Sequence, residues 1–281
     1  MPIDPNLVGK ELAPMEFNYG MKEVILYALG IGAGTRVEEL KFVYENGLET
    51  LPTFGVVPPF HSLIGILGME GMDFNLVMLV HGEQYLELYQ PIPVEGSLMS
   101  YPKISAIYDK VKGALIEIDV LTKNARGEDL FMNRFSAFIR GEGGFGGPTA
   151  PEPGNEPPDR APDRVVEMKT LPQQALIYRL SGDVNPLHAD PGFAAVAGYE
   201  KPILHGLATF GFAARAVLQE YCNDDPSVFK AIKVRFSKHV YPGETIVTEM
   251  WQISDGQIIL RSKTAERGEL CLTNASVWLN V

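Results

Sequence analysis

The chain repeats one pattern in its first and second halves, and this duplication restricts the folds open to it more than any other feature of the sequence. Residues 27–32 (YALGIG) resemble residues 178–183 (YRLSGD), and both follow an apolar, helix-like run and contain glycine at its end. Further on, residues 58–63 (PPFHSL) match residues 202–207 (PILHGL) in the pattern P-x-x-H-[GS]-L. Each of these two segments opens a long apolar stretch that predicts a helix. We therefore expect the two halves to share one fold.

Strands predominate in the remainder of each half, where Val, Ile, Phe and Thr are enriched. Turn signals such as residues 255–256 (DG) and 267–268 (RG) separate them. The predicted strands are approximately 83–90, 96–108, 112–122 and 129–140 in the first half, and 229–238, 244–253, 257–264 and 270–280 in the second. One long helix followed by consecutive antiparallel strands, found twice, predicts an α+β fold of two sheets, each wrapped around a helix.

A segment rich in glycine and then in proline separates the halves. Residues 141–162 (GEGGFGGPTAPEPGNEPPDRAP) cannot sustain helix or sheet, and they predict a linker. Residues 141–146 also match the dinucleotide-binding pattern G-x-G-x-x-G, but Pro148 and further prolines stand where the required helix would begin. We predict a first repeat over residues 1–145, a linker over 146–164 and a second repeat over 165–281.

The charge and the cysteines argue against several classes of function. The 281 residues carry a net charge of −11, which disfavours a nucleic-acid or anionic membrane partner, because both require a basic patch. Cys222 and Cys271 form no disulfide framework and no metal-ligand spacing, and they predict buried thiols in a reducing compartment. Residues 1–10 lack the pattern of a secretory signal, and no apolar window approaches a membrane span. We expect a protein that is not secreted.

One short stretch, residues 178–188 (YRLSGDVNPLH), combines a carboxylate, an amide and an imidazole. Gly182 and the Asn-Pro pair that begins at Asn185 break any helix there, so Asp183 and His188 can converge on one point. A carboxylate and an imidazole that share a proton are the minimum equipment for general acid/base catalysis. The alternative is a turn in which the Asp and Asn side chains only cap backbone N–H groups.

The duplication supplies an internal comparison for this stretch. With the halves set on each other, Gly32 stands opposite Asp183 and Val37 opposite His188, so the first half has no acid/base pair. This difference predicts a catalytic second half and a first half that shapes a pocket. A nucleophilic triad with Ser181 is not indicated, because the chain has no G-x-S-x-G elbow. The five histidines show no HxxxH or HExxH spacing, and we expect no metal.

Gly206 is a further candidate residue, at the predicted start of the helix that runs through Leu218. Free N–H groups at a helix start favour negative charge, and one such donor can stabilise a developing enolate oxygen by roughly 3–4 kcal/mol. The alternative is that Gly206 only permits close packing of helix and sheet. Lys110 in a predicted hairpin turn, and Phe236 and Lys238 on one face of a strand, gain interest only if the ligand carries phosphates. Otherwise the lysines are solvated surface charge.

These segments together resemble the hydratase 2 motif of the MaoC-like dehydratase family. The resemblance rests on residues 178–188 and 201–207 (KPILHGL), and it extends through 81–93 (HGEQYLELYQPIP), 141–147 (GEGGFGG) and 229–244 (FKAIKVRFSKHVYPGE). It implies a double hot dog fold, in which each of two repeats is a long helix wrapped by an antiparallel sheet. It also implies hydration of trans-2-enoyl-CoA to (3R)-3-hydroxyacyl-CoA in fatty-acid β-oxidation or related acyl-CoA metabolism. No cofactor is implied, because coenzyme A is part of the substrate.

The resemblance assigns roles to individual residues. Asp183 and His188 would be the catalytic pair that holds the attacking water, one removing its proton while the other serves the α-carbon. Asn185 would fix their geometry, and the N–H of Gly206 would hold the thioester carbonyl. The residues implied in binding the acyl-CoA are His81, Gly82, Lys110, Val184, Pro186, Leu187 and Phe236. The first repeat would open a tunnel for long or bulky acyl chains.

Other interpretations stay open beside this one. Hot dog folds also host acyl-CoA thioesterases, and a non-catalytic acyl-CoA-binding module is a third alternative, against which the retained Asp183/His188 pair speaks. An exposed sheet edge in each hot dog makes a homodimer the expected assembly. Residues 278–281 do not form the S-K-L-like tripeptide of peroxisomal import. The expected location is the cytoplasm in a bacterium or the peroxisomal matrix in a eukaryote.

Overall fold

The computed structural model describes residues 3–60, 65, 69–75 and 78–281. Its strands are β1 (Met15–Tyr19), β2 (Leu79–Leu88), β3 (Gly96–Asp109), β4 (Gly113–Asn124), β5 (Asp129–Arg140), β6 (Arg164–Lys169), β7 (Phe229–Phe236), β8 (Thr245–Ser254), β9 (Gln257–Thr264) and β10 (Leu270–Leu279). Its α-helices are α1 (Met21–Gly30), α2 (Val57–Phe60), α3 (Gln174–Tyr178), α4 (Pro191–Val196) and α5 (Gly206–Tyr221). These strands form one continuous antiparallel sheet, in the order β1-β3-β4-β5-β2-β7-β10-β9-β8-β6.

The eight strands predicted from the sequence are all present, as β2 to β5 and β7 to β10. Their alternating buried and exposed side chains explain why the period-2 pattern was visible. Strands β1 and β6 were not predicted. They are short and form the two edges of the sheet, with mostly exposed side chains, so they carry little hydrophobic alternation.

Pairing between β2 and β7 joins the two halves of the chain. The register places Glu83 opposite Arg235 and Leu86 opposite Ile232, and both Leu86 and Ile232 are fully buried. Lys233 adds an ion pair with Glu83 across the same two strands, at 3.2 Å. The two sheets expected from the sequence are thus joined edge to edge into one, a contact that the sequence pattern did not reveal.

Helix α5 is the long apolar helix predicted for the second half. Every residue from Leu207 to Leu218 is buried, and the helix packs against β7, β8 and β10. The corresponding helix of the first half was predicted to open at residues 58–63. Helix α2 is described there, whereas residues 61–64 and 66–68 lie outside the described part of the chain. Among the described residues, no helix is both long and apolar enough to cross a membrane.

The segment between the halves contacts the β3–β4 hairpin of the first half at its start and the second half at its end. Residues 141–163, all of which are described, contain neither helix nor strand. Arg160 binds Asp163 through two hydrogen bonds, and Trp251 of β8 donates its indole N–H to the main-chain oxygen of Arg160 at 2.9 Å. The proposed limits of the repeats and of the linker stay a prediction.

A buried ion pair ties helix α5 to the first half. Arg215 is 3% exposed and Glu39 is 1% exposed. Two nitrogens of Arg215 donate to one oxygen of Glu39, at 2.9 and 2.5 Å, and a third donates to the Ile31 carbonyl at 2.7 Å. The other Glu39 oxygen accepts the N–H groups of Gly34 and Thr35. Burial raises the pKa of Glu39, but the charge and hydrogen bonds of Arg215, the charge of Arg36 and the N–H of Gly34 together outweigh it, so the net direction is downward.

We expect Arg215→Met to lower the free energy of unfolding by about 3 kcal/mol, because it removes the nearer of two arginines that pair with the buried Glu39 carboxylate and leaves only Arg36, at 3.4 Å. The matched control is Lys41→Met, which removes a pair with Glu49 that is partly exposed on both sides and is therefore worth about 1 kcal/mol or less. Urea unfolding of the three proteins at one concentration measures both losses. The role given to the pair is wrong if Arg215→Met costs no more than Lys41→Met.

Candidate active site

The backbone between α3 and α4 is broken as the sequence predicts. Helix α3 ends at Tyr178, and Gly182 adopts a φ of 121°, a conformation that residues with a side chain rarely tolerate. Asn185 then caps the short 3₁₀ helix Pro186–His188 by accepting the N–H of Leu187 at 3.0 Å. The Asp183 carboxylate likewise accepts the N–H of Asn185, at 3.2 Å, so both side chains cap backbone N–H groups in this turn.

Asp183 and His188 do converge. One carboxylate oxygen of Asp183 and one ring nitrogen each of His188 and His205 lie within 4.8 Å of one another. His188 is 8% exposed, and its Nδ1 lies 2.9 Å from the main-chain oxygen of Ile203. Because a carbonyl oxygen can only accept, Nδ1 carries the proton and Nε2 is left as the acceptor. This arrangement can remove a proton from a bound water.

Burial sets the charge of the histidines around this point. It lowers the pKa of His188, although the Asp183 charge acts in the opposite direction. It lowers the pKa of His205 still further below the ordinary value, with help from the neighbouring His188. For His81, burial lowers the pKa to about 4. All three imidazoles are therefore neutral near pH 7.

His205 was quoted in the sequence pattern but not counted as a site residue, and the structure places it against both members of the pair. Its ring stacks on the His188 ring at a centroid distance of 3.7 Å and an interplanar angle of 26°. Its Nε2 lies 3.0 Å from the main-chain oxygen of Asp183. The available signal was the histidine of P-x-x-H-[GS]-L, which the sequence argument passed over in favour of the following glycine.

Gly206 is the first residue of α5. The preceding His205 makes no side-chain cap, and its carbonyl accepts only the N–H groups of Ala208 and Thr209, so the N–H of Gly206 can meet a ligand. A Cβ on Gly206 would lie 3.1 Å from the ring of Phe236, which is tighter than an ordinary contact. The packing alternative is therefore also correct, since glycine is what lets Phe236 approach the helix start.

Residues of β2 reach the same place from the first half. The β2–β5 register shifts between His81 and Glu83, so Gly82 lies in a bulge. The His81 ring lies 4.8 Å from that of Phe236, and a Cβ on Gly82 would lie 3.2 Å from the main-chain oxygen of Ser136. Phe236 thus contacts His81 on one side and the start of α5 on the other.

Of the remaining predicted site residues, three lie in the turn that carries the pair, and Lys110 lies in the β3–β4 hairpin. Val184 and Pro186 are exposed and Leu187 is half-buried, all within the turn that carries the pair. Lys110 is exposed in the β3–β4 hairpin, as predicted. The glycine-rich residues 141–147 are held against that hairpin. Asp109 accepts the N–H groups of Gly144 and Gly146, at 2.9 and 2.8 Å.

Asp183, His188 and His205 are also the residues best placed to hold a metal ion in the described part of the chain. Tetrahedral zinc needs ligand nitrogens about 2.0–2.1 Å from the ion, with lone pairs that point at it. The stacked rings hold their lone pairs in nearly parallel planes, and one nitrogen of each ring is already engaged by a carbonyl. This donor set does not suit zinc.

Two family models match the chain. The model described as the MFE-2 hydratase 2 N-terminal domain matches residues 17–141. The model described as a MaoC like domain matches residues 154–274, which include Asp183, His188 and Gly206.

Known proteins resemble the chain over nearly its full length. It is 46% identical to the probable enoyl-CoA hydratase 2 of Dictyostelium discoideum, over 95% of this chain and 93% of that protein. It is 47% identical to the peroxisomal multifunctional enzyme type 2 of Mus musculus, over 96% of this chain but only 38% of that longer protein. The crystal structure of a MaoC-like dehydratase from Phytophthora capsici matches with a TM-score of 0.88 and 34% identity, covering 99% of both chains.

A more distant likeness concerns the fold alone. A Mycobacterium tuberculosis protein described as having a double hotdog fold matches with a TM-score of 0.59 and 11% identity, over 97% of this chain and 96% of that one. Together with the Phytophthora structure it confirms the predicted double hot dog.

We expect His81, His188 and His205 each to titrate below the ordinary histidine pKa of about 6.5, and His81 at about 4. The reason is that burial lowers the pKa of each. Nitrogen-15 NMR of histidine-labelled protein between about pH 5 and 8 measures the protonation of each ring. Single His→Asn variants assign the resonances. A His188 or His205 resonance that titrates at about 6.5 would show that these rings are not desolvated.

Proposed function

The chain belongs to the hydratase 2 family of MaoC-like proteins, and on this basis we propose that it adds water to trans-2-enoyl-CoA to give (3R)-3-hydroxyacyl-CoA. Such an enzyme is a hydro-lyase, in keeping with the name enoyl-CoA hydratase 2 of the Dictyostelium relative. The observation that carries the proposal is the approach of Asp183 to His188, within 4.8 Å, next to the uncapped start of α5. An acid/base pair and free N–H groups are what conjugate hydration requires.

The chemistry divides between two sets of groups. A water molecule between the Asp183 carboxylate and His188 loses one proton to the pair, and its oxygen bonds to C3 of the substrate. The pair supplies one proton to C2, so that the elements of water are added across the double bond. Meanwhile the N–H of Gly206 donates to the thioester oxygen, which gains negative charge as the enolate forms. One such donor is worth roughly 3–4 kcal/mol in the transition state.

The acyl-CoA lies, in this proposal, along the group of residues contributed by both halves. Phe236 and His81 contact each other, and Gly82 lies in the β2 bulge that follows His81. The turn residues Val184, Pro186 and Leu187 flank the reacting end of the substrate. Lys110 attracts the CoA phosphates, which answers how so acidic a chain binds an anion.

The remaining parts of the proposal follow from the family. The first repeat, residues 1–145, accommodates the acyl chain, and the second repeat, residues 165–281, carries the catalytic pair. The protein acts without a cofactor and as a homodimer, in fatty-acid β-oxidation or related acyl-CoA metabolism. The peroxisomal name of the mouse relative supports the peroxisomal matrix in a eukaryotic cell, and the bacterial counterpart would be the cytoplasm.

We expect Asp183→Asn to reduce kcat for a 2-enoyl-CoA by at least about 10²-fold, because general acid/base groups contribute about 10²–10⁴-fold each. Asp190→Asn is the matched control, since Asp190 is an exposed acid a few residues away that only caps α4. The measurement is the hydration rate, with chiral chromatography of the product. Near-normal turnover by Asp183→Asn would show that Asp183 is not a catalytic residue.

The same assay separates the alternatives. An (S) product would contradict the stereochemistry proposed. Release of free CoA thiol without a hydroxyacyl product would indicate a thioesterase, and binding without turnover would indicate a binding module.

We expect removal of metal ions to leave hydration unchanged, because the stacked rings of His188 and His205 do not suit a metal. The experiment is dialysis against EDTA followed by assay, with metal content measured by mass spectrometry before and after dialysis. Activity that disappears with the metal and returns with one added divalent ion would overturn the cofactor-free proposal.

A further inference from the structure

His205 occupies the centre of the proposed site without a part in the chemistry derived above. It is 1% exposed, so its imidazole has been taken out of water, which is costly for a polar ring unless its contacts compensate. Its Nδ1 is buried without a hydrogen-bond partner among the described residues. Its Nε2, by contrast, lies 3.0 Å from the main-chain oxygen of Asp183. The ring is therefore held by one specific hydrogen bond and by packing against neighbouring rings.

The hydrogen bond fixes both the tautomer and a catalytic neighbour. A carbonyl oxygen can only accept, so the Nε2 of His205 carries the proton and donates it to Asp183. The main chain of Asp183 lies directly after Gly182, whose φ of 121° gives this turn an uncommon conformation. The hydrogen bond from His205 to the main-chain oxygen of Asp183 fixes the backbone of this turn, and the backbone in turn sets the position of the Asp183 carboxylate.

The two faces of the ring lie between a tyrosine and the second catalytic group. One contact is the His188 ring, at 3.7 Å, and the other is the Tyr178 ring, at 4.9 Å. Tyr178 lies in turn 6.0 Å from Tyr27 of α1, which belongs to the first half. A row of rings therefore runs from the first half through His205 to His188.

The backbone of His205 contributes the third connection. Its carbonyl accepts the N–H groups of Ala208 and Thr209, which begin α5. The peptide bond that follows His205 carries the N–H of Gly206. Any displacement of His205 therefore shifts this donor together with the contacts to Asp183 and His188.

We propose that His205 is a positioning residue that holds the Asp183 main chain, the His188 ring and the Gly206 N–H in one fixed arrangement for hydration. This inference rests on the proposed function. His205 touches the three groups and not the reacting atoms, so it acts through them. Displacing reacting groups by about 1 Å can cost about 10²-fold in rate.

Two substitutions separate the two kinds of contact. His205→Phe keeps an aromatic ring and removes the N–H donor to Asp183. His205→Gln keeps an amide N–H near the position of Nε2 and removes the ring. We expect kcat to fall about 10- to 100-fold in His205→Phe, with KM changed by less than about 3-fold, and to recover partly in His205→Gln. His239→Phe is the control, because His239 is a partly exposed histidine that packs on Tyr199 and Tyr241.

A double-variant comparison provides the readout that a merely structural role would not give. If His205 acts through Asp183, His205→Phe should cost much less in an Asp183→Asn background than in the wild type. Equal factors in the two backgrounds, or wild-type kcat in His205→Phe, would overturn the proposal. If His205→Phe does not fold, the same comparison is made with His205→Leu, which also removes the N–H donor and must then lose kcat mainly in the wild-type background. Failure of the proposed function itself is distinct, since the wild type would then not hydrate the substrate at all.

Discussion

Main-chain pairing of β2 with β7 is the constraint on which the rest of the structure depends. It joins the two halves into one sheet and brings the bulge at His81 and Gly82 alongside Phe236, the last residue of β7. Phe236 in turn packs on Gly206 at the start of α5. The pairing therefore sets the position of the His81–Gly82 bulge relative to the start of α5. The proposed site is thus a property of the joined sheet and not of the second half alone.

Burial acts on charge in two opposite ways in this chain. Arg215 and Glu39 stay charged because each neutralises the other and their remaining hydrogen bonds are satisfied by backbone groups. His188 and His205 have no such counter-charge of equal strength, and burial lowers the pKa of each. A neutral His188 can accept a proton, whereas a neutral His205 adds no positive charge beside it. Desolvation therefore favours the neutral form of both His188 and His205, which is the form that their proposed roles require.

The sequence predicted the parts of the fold that depend on local pattern. The apolar run after Gly206 predicted α5, and the helix break at Gly182 and Asn185 located the turn that brings Asp183 to His188. The sequence did not reveal the pairing of β2 with β7. The two strands lie far apart along the chain, and backbone hydrogen bonds between them do not require particular side chains. The edge strands β1 and β6 were missed for want of hydrophobic alternation. His205 was missed because a single histidine in an apolar run has no pattern of its own.

Contacts of Gly32 show what the first half does with the segment that corresponds to the proposed catalytic turn of the second half. Gly32, which stands opposite Asp183 in the duplication, has a φ of +75°, and a Cβ there would lie 2.6 Å from the Phe212 ring. Arg215, one turn further along α5, binds the Ile31 carbonyl next to it. Val37, opposite His188, is 78% exposed. An aspartate at position 32 would place its Cβ against the Phe212 ring and would have to adopt a positive φ, so Phe212 would have to shift. In the first half this segment therefore packs against α5, at the position where the second half presents Asp183.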